Sequence, residues 1–208
     1  MKKEKLILFD WGNIVESHTT GYNLYKAYDR VAKSLNYHGK IPFTKLLSKK
    51  GWSSIQTMED FEKMFLSLKT EYNLTGEFND FLTMLDTYFE DIDFYQDVID
   101  FELSLKEQCY IGILSNLSIT EKKRLDSQVG LSNYDYAFLS FELGCKKPED
   151  AIYEYIENHV PFKPKDILFI DDKKENVKKA KKRGWNAVQL TGLDLKKIKK
   201  VCEKFLIK

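Results

Sequence analysis

No apolar run in these 208 residues approaches the ~20 needed to span a bilayer, so no membrane-spanning helix and no membrane partner are expected. The opening residues, Met-Lys-Lys-Glu, do not begin a signal-like apolar segment. Cysteine is scarce. The three present, Cys109, Cys145 and Cys202, are odd in number and none falls in a CxxC pair, which argues against a disulfide framework or a zinc cluster and fits a reducing cytoplasm. Internal repeats and low-complexity segments are missing too, which leaves ordinary globular material.

The composition agrees, at 43% hydrophobic and 31% charged, and the length allows one large domain or a core carrying an insert. The net charge of +1 conceals an asymmetry. Residues 16–100 hold 9 basic and 14 acidic residues, a net of −5, whereas residues 173–208 hold 13 and 3, a net of +10. In the basic part, Leu195, Ile198, Val201, Cys202 and Phe205 form an apolar helical stripe with the lysines mostly on the other face. No aromatic residues interleave those lysines for base stacking, so the segment reads as a solvated helix face and no nucleic-acid partner is expected.

The stretch Lys5 to Val15 organises the rest. Leu6 to Phe9 are apolar without a break, as in a parallel strand covered on both faces, and the run ends in Asp10 followed by Trp11 and Gly12. Ligands of open α/β sheets bind just beyond such strand ends, so Asp10 sits where chemistry is expected. Residues 18–90 then turn helical. Tyr25, Tyr28, Ala32 and Leu35 share one face, Phe61, Phe65, Leu68 and Tyr72 another, and Phe78, Phe81, Leu82, Leu85, Tyr88 and Phe89 a third, the spacing of a bundle core. Asn23, Thr57 and Gly76 mark helix boundaries, while Pro42 and Gly51 punctuate the middle.

After Asp97, strand and helix patterns alternate: helix 97–106, strand 110–114, helix 119–128, strand 136–140, helix 149–158, strand 167–170, helix to Arg183, strand 187–190 and a final helix. Alternation of this kind predicts a parallel α/β sheet. It also brings Asp10, Ser115, Lys147 and the Asp171-Asp172 pair to one sheet edge. Each alone has a plainer reading as a cap or a surface charge. Together they supply a nucleophilic carboxylate, a hydroxyl, a cation and carboxylates for a hard metal ion, which are the parts phosphoryl transfer needs.

Four ordered stretches resemble the haloacid dehalogenase (HAD) superfamily over essentially the whole chain: Phe9-Asp10-Trp11-Gly12-Asn13-Ile14-Val15, Gly112-Ile113-Leu114-Ser115-Asn116, Gly144-Cys145-Lys146-Lys147-Pro148, and Leu168-Phe169-Ile170-Asp171-Asp172 with Asn176. The resemblance implies a Rossmann-like core of residues 1–15 and 96–208 and a small helical cap of the first type over 16–95. It further implies that Asp10 is the nucleophile, that Ser115 binds the phosphoryl group, and that Lys147 neutralises charge. Magnesium would be held by Asp10, the Gly12 backbone carbonyl, Asp171 and Asp172. Asn13, Asn116 and His18 are the candidate substrate contacts.

Phosphatases that this chain resembles carry a second aspartate where it has Gly12. That residue is the usual general acid and base, worth about 10²- to 10⁴-fold in rate. The first motif is closest to an Asp-x-Gly-Asn subset that includes sugar-phosphate phosphatases. Glycine there suggests either a backbone conformation that a side chain cannot share, or another group doing the proton transfer, with His18 the candidate. The expectation is a magnesium-dependent phosphatase acting on a small phosphorylated metabolite, a sugar phosphate among the candidates, as a monomer or homodimer. Two alternatives stand beside it: a dehalogenase-type hydrolase, for which Arg30 would clamp a carboxylate, and a catalytically weakened binding protein. His38 and His159 lie near predicted helix ends and read as surface or capping residues.

Overall fold

Leu6–Phe9 has no polar side chain to show to water, and the fold buries it at the middle of a sheet. The computed structural model describes residues 4–207. Its strands, among the described residues, are β1 (Leu6–Phe9), β2 (Tyr110–Ser115), β3 (Tyr136–Leu139), β4 (Ile167–Asp171) and β5 (Asn186–Gln189), all parallel in the order β3-β2-β1-β4-β5. Phe9 pairs with Ile113 of β2 and Ile170 of β4, which aligns the carboxyl ends of the three central strands. The chain first adds strands on one side of β1 and then crosses to the other. This makes the β1 and β4 ends the switch point where open α/β sheets bind ligands.

Helices cover both faces of this sheet because both faces are apolar. Four lie in the insert that follows β1: α1 (Leu24–Ser34), α2 (Phe43–Lys49), α3 (Met58–Tyr72) and α4 (Phe78–Glu90). The rest are α5 (Gln96–Ser104), α6 (Lys122–Gln128), α7 (Ser140–Leu143), α8 (Asp150–His159), α9 (Lys174–Lys182) and α10 (Leu195–Ile207). Alternate residues of β1 go to opposite layers, as the two-residue period of a strand requires. Ile7 and Phe9 pack with Val98 and Ile99 of α5 and Ile198 and Cys202 of α10, while Leu6 and Leu8 pack with Ile152 and Ile156 of α8 and Val177 of α9. The basic C-terminal segment does bury its apolar stripe: Ile198, Cys202 and Phe205 are inside, and its lysines lie outside that core.

The insert helices α1 to α4 bury a cluster of their own. Phe61 and Phe65 of α3 meet Phe81 of α4, the Phe65 and Phe81 rings stacked at 4.9 Å, and Tyr28 of α1 packs edge-on to Phe89 and Trp52. Asn23 and Thr57 cap α1 and α3 as their side chains predict, accepting from the backbone N–H of Lys26 and Asp60. Sequence periodicity passes over α2, because seven residues give Phe43, Leu46 and Leu47 only one repeat of the pattern. Tyr25 is a second difference. It shares the predicted apolar face of α1 but is half exposed, turned toward the sheet rather than into the bundle. Among the described residues no helix is long and apolar enough to cross a membrane.

Candidate active site

Asp10 leaves β1 with its backbone N–H still bonded to the Ile170 carbonyl, so its carboxylate is set by the sheet itself. The side chain is buried, and Oδ1 holds three partners: the Trp11 backbone N–H at 2.7 Å, the Ser115 hydroxyl at 3.1 Å and Lys147 Nζ at 2.7 Å. Oδ2 takes none of these bonds. Both Asp10 and Ser115 line a cavity of about 460 Å³ between the sheet edge and the helices of the insert.

Lys147 is the hub. Its buried ammonium touches the Asp10 and Asp171 carboxylates, each at 2.7 Å, and donates to the Leu114 carbonyl at 2.8 Å. Burial works against the charge, but the two carboxylates outweigh it and raise the lysine pKa, so the ammonium form is locked in. Asn116 holds the loop that carries it. The Asn116 side-chain amide donates to the Lys147 carbonyl and its oxygen accepts the Lys147 backbone N–H, both at 2.9 Å. Asn116 also lines the cavity, so it braces Lys147 and faces any occupant.

Asp171 is fully buried and saturated with donors: the Lys173 backbone N–H on Oδ1, Lys147 on Oδ2, and Asn176 Nδ2 on both oxygens. Burial and the neighbouring Asp10 raise its pKa against the pull of Lys147. Asp172 is less committed. Its Oδ2 accepts from Asn13 Nδ2 at 3.2 Å, while its buried Oδ1 has no hydrogen-bond partner. Asp10, Asp171 and Asp172 each present an oxygen, all within 4.8 Å of one another. Three carboxylates around one ammonium leave an excess of negative charge, and hard oxygen donors with an orphaned buried member suit a divalent cation of the magnesium type.

Gly12 is not held by its backbone conformation. The left-handed φ of this turn belongs to Asn13, at 62°, and Gly12 is not among the positive-φ residues. Space explains the glycine instead. A Cβ there would lie 2.8 Å from His18 Cε1 and 3.0 Å from Nε2, so the imidazole already fills the volume a side chain would need.

Solved structures show the same architecture. A HAD family enzyme from Bacteroides thetaiotaomicron, in complex with magnesium and inorganic phosphate, aligns over 91% of this chain and 96% of its own with a TM-score of 0.69 at 15% identity. The chain has the haloacid dehalogenase fold. A predicted HAD-like hydrolase from Porphyromonas gingivalis matches at TM-score 0.66 and 19% identity, covering 91% of this chain and 92% of that one. An L-2-haloacid dehalogenase from Xanthobacter autotrophicus, with chloropropionic acid covalently bound, matches at TM-score 0.60 and 16% identity over 90% and 78% of the two chains. No protein-family model matches the sequence.

In this HAD fold a second group of charges lines the same cavity. Glu16 is buried and receives Arg124 at 2.5 Å and the Trp11 indole N–H at 3.1 Å, with His18 Nε2 at 3.5 Å from its other oxygen. Burial opposes its ionisation, but Arg124 and His18 hold its pKa down at about 2. Glu121, also buried, has one oxygen on the Ser118 N–H at 2.7 Å and the other 3.9 Å from Arg124. Burial and Glu16 push it up to about 7 against the pull of Arg124. Sequence reasoning missed this group. The Ser118-Ile119-Thr120-Glu121 capping box was a visible signal for a helix start, but nothing local tells that its glutamate faces a cavity.

Proposed function

We propose that this chain is a magnesium-dependent phosphomonoester hydrolase that acts on a small phosphorylated metabolite, sugar phosphates among them, through an aspartyl-phosphate on Asp10. The observation that carries the reading is the juxtaposition of Asp10, Asp171 and Asp172 with Lys147 bridging the first two at the floor of a cavity. Residues 16–95 serve as the cap over a core of 1–15 and 96–208. Cys109, Cys145 and Cys202 form no disulfide among the described residues, which supports a cytoplasmic place of work, and the chain acts as a monomer or homodimer.

In this reading Asp10 Oδ2, outside the bonds that hold Oδ1, attacks phosphorus. The ester P–O bond breaks as the new one forms, and the leaving oxygen takes up a proton. Water then attacks the phosphoryl group, releasing phosphate and restoring the carboxylate. Ser115 and Lys147 lie against Asp10 and hold the phosphoryl oxygens, while Asn13 fixes Asp172. Magnesium held by Asp10, Asp171, Asp172 and the Gly12 carbonyl would offset the charge of those oxygens. His18, in the volume beside Gly12, stands where the missing aspartate would act on the leaving group.

The dehalogenase reading asks for an arginine facing the substrate. Arg30 lies instead over the Tyr22 ring, 4.5 Å from its centroid, and Arg124 is engaged by Glu16; neither lines the cavity. Turnover of aryl phosphates and of a panel of phosphorylated metabolites, with and without magnesium, tests the proposal. Asp10→Asn should abolish turnover and keep the fold, and Asp171→Ala should erase the response to magnesium. If no ester turns over with magnesium present, the hydrolase reading fails and a binding role takes its place.

A further inference from the structure

The cavity lining carries two chemically opposite groups. One is Lys147 with the Asp10 carboxylate, and Lys45, Lys146 and Lys173 also lie on the lining. The other, at the Tyr28 end, is Glu16 and Glu121, two buried carboxyl groups that share the guanidinium of Arg124; His18 Nε2 lies 3.5 Å from Glu16, and Glu121, 3.9 Å from Arg124, is the less compensated of the two. Ionising a buried carboxyl so placed costs free energy unless a partner offsets it. Tyr28 gives an independent sign of that partner. The residue is 1% exposed, its hydroxyl has no hydrogen-bond partner among the described residues, and it lines the same cavity. Burial, Glu121 and Glu16 hold this hydroxyl in its neutral form against the pull of Arg124. A buried hydroxyl left unpaired costs free energy, so it calls for an occupant. Tyr25 and Trp52 add aromatic faces to this end, and ring faces attract ammonium groups.

We infer that the Glu16, Glu121 and Tyr28 end of the cavity binds an ammonium group on the leaving-group side of the substrate, so that the phosphomonoester is an aminated one. This inference rests on the reading of Asp10 as the phosphoryl end. The ammonium supplies positive charge beside Glu121 and a donor to the Tyr28 oxygen, which no neutral hydroxyl does at once. A phosphate at one end and an ammonium at the other make a zwitterionic ligand that matches both.

Binding by calorimetry to the Asp10→Asn protein with magnesium separates the inference from the chemistry. Two matched pairs serve: 2-aminoethyl phosphate against n-propyl phosphate, and glucosamine 6-phosphate against glucose 6-phosphate. In at least one pair the aminated ester should bind tenfold tighter or more, and Glu121→Gln, which keeps the Ser118 capping bond, should bring that ratio near one. Tyr28→Phe deletes only the unpaired hydroxyl. It should hold or raise the melting temperature while lowering affinity for the aminated ester several-fold. Equal affinities in both pairs, or no binding by any of the four, overturn the subsite. A retained tenfold preference in a protein whose wild type hydrolyses no ester overturns the hydrolase reading and leaves the subsite standing.

Discussion

At the scale of single residues, Gly12 and His18 form one unit, since the imidazole occupies the space that a side chain at position 12 would need. Gly12→Asp should therefore displace the ring and lower activity by about tenfold or more on alkyl phosphates, rather than raise it. His18→Ala should cost about 10²-fold on alkyl phosphates and little on activated aryl phosphates, the pattern of a lost proton donor. The double variant Gly12→Asp with His18→Ala has both the carboxylate and the room for it, and should recover part of the alkyl rate. Kinetics on one alkyl and one aryl ester decide this, and an equal loss on both by His18→Ala would mean the ring merely packs. Arg124 is the other residue with a sharp expectation. Arg124→Met leaves Glu16 and Glu121 buried together without their cation, so a denaturant midpoint should report a loss of about 3–5 kcal/mol. A change under 1 kcal/mol would show that the carboxylates find other compensation.

At the scale of elements, α1 carries the cavity wall and its start is fixed by one side chain. Asn23 Oδ1 accepts the Lys26 backbone N–H at 3.1 Å, and Tyr25 and Tyr28 follow within the first turns. Asn23→Ala should destabilise by about 1 kcal/mol, and hydrogen exchange should show the extra opening concentrated in α1. Uniform opening across the sheet would instead tie α1 to the global unfolding unit. The insert is also fastened to the core away from its connecting strands. Ser140 at the start of α7 donates to the Ser53 carbonyl and accepts the Leu117 N–H, and Gln56 donates to the Glu142 carbonyl at 3.1 Å. These bonds hold the Trp52 turn at the cavity wall, so the insert is anchored near the loop that carries Lys147.

At the scale of the whole molecule, pH dependence reports a carboxyl group in the core far from the cavity. Glu102 is fully buried, accepts the Tyr134 hydroxyl at 2.8 Å and leaves its other oxygen unpaired. Burial pushes its pKa from an ordinary 4.5 up to about 8, against the opposing Tyr134 hydrogen bond. The folded state thus holds a proton that the unfolded chain releases. Stability from this group is full below about pH 4.5, falls as pH rises to about 8 and is flat above, a loss on the order of several kcal/mol. Glu121, pushed up to about 7, adds a parallel loss. Urea midpoints at pH 5, 7 and 9 should therefore fall for the wild type, and Glu102→Gln, which still accepts from Tyr134, should make the decline shallower. The same slope in both proteins would place the proton elsewhere.

The sequence by itself determined the strands, most helices and the position of Asp10. These rest on local physics: an apolar run must be covered, a run ended by Asp10 must present it at a strand tip, and Asn23 or Thr57 before a periodic stretch must cap it. It also brought Asp10, Ser115, Lys147, Asp171 and Asp172 to one edge, because alternating strands and helices with right-handed crossovers imply parallel strands whose carboxyl ends lie together. Only the tertiary structure decided what those groups touch. Ser115 reaches Asp10 across 105 residues, and Arg124 reaches Glu16 across 108. Such pairs leave no periodic trace in the chain, since the distance between them is set by register and packing rather than by spacing. The same is true of the reason for Gly12, which is a ring from six residues downstream lying where a Cβ would go. Burial completes the division, because the charge state of Glu16, Glu121 and Glu102 depends on how much water the folded chain leaves around identical carboxyl groups.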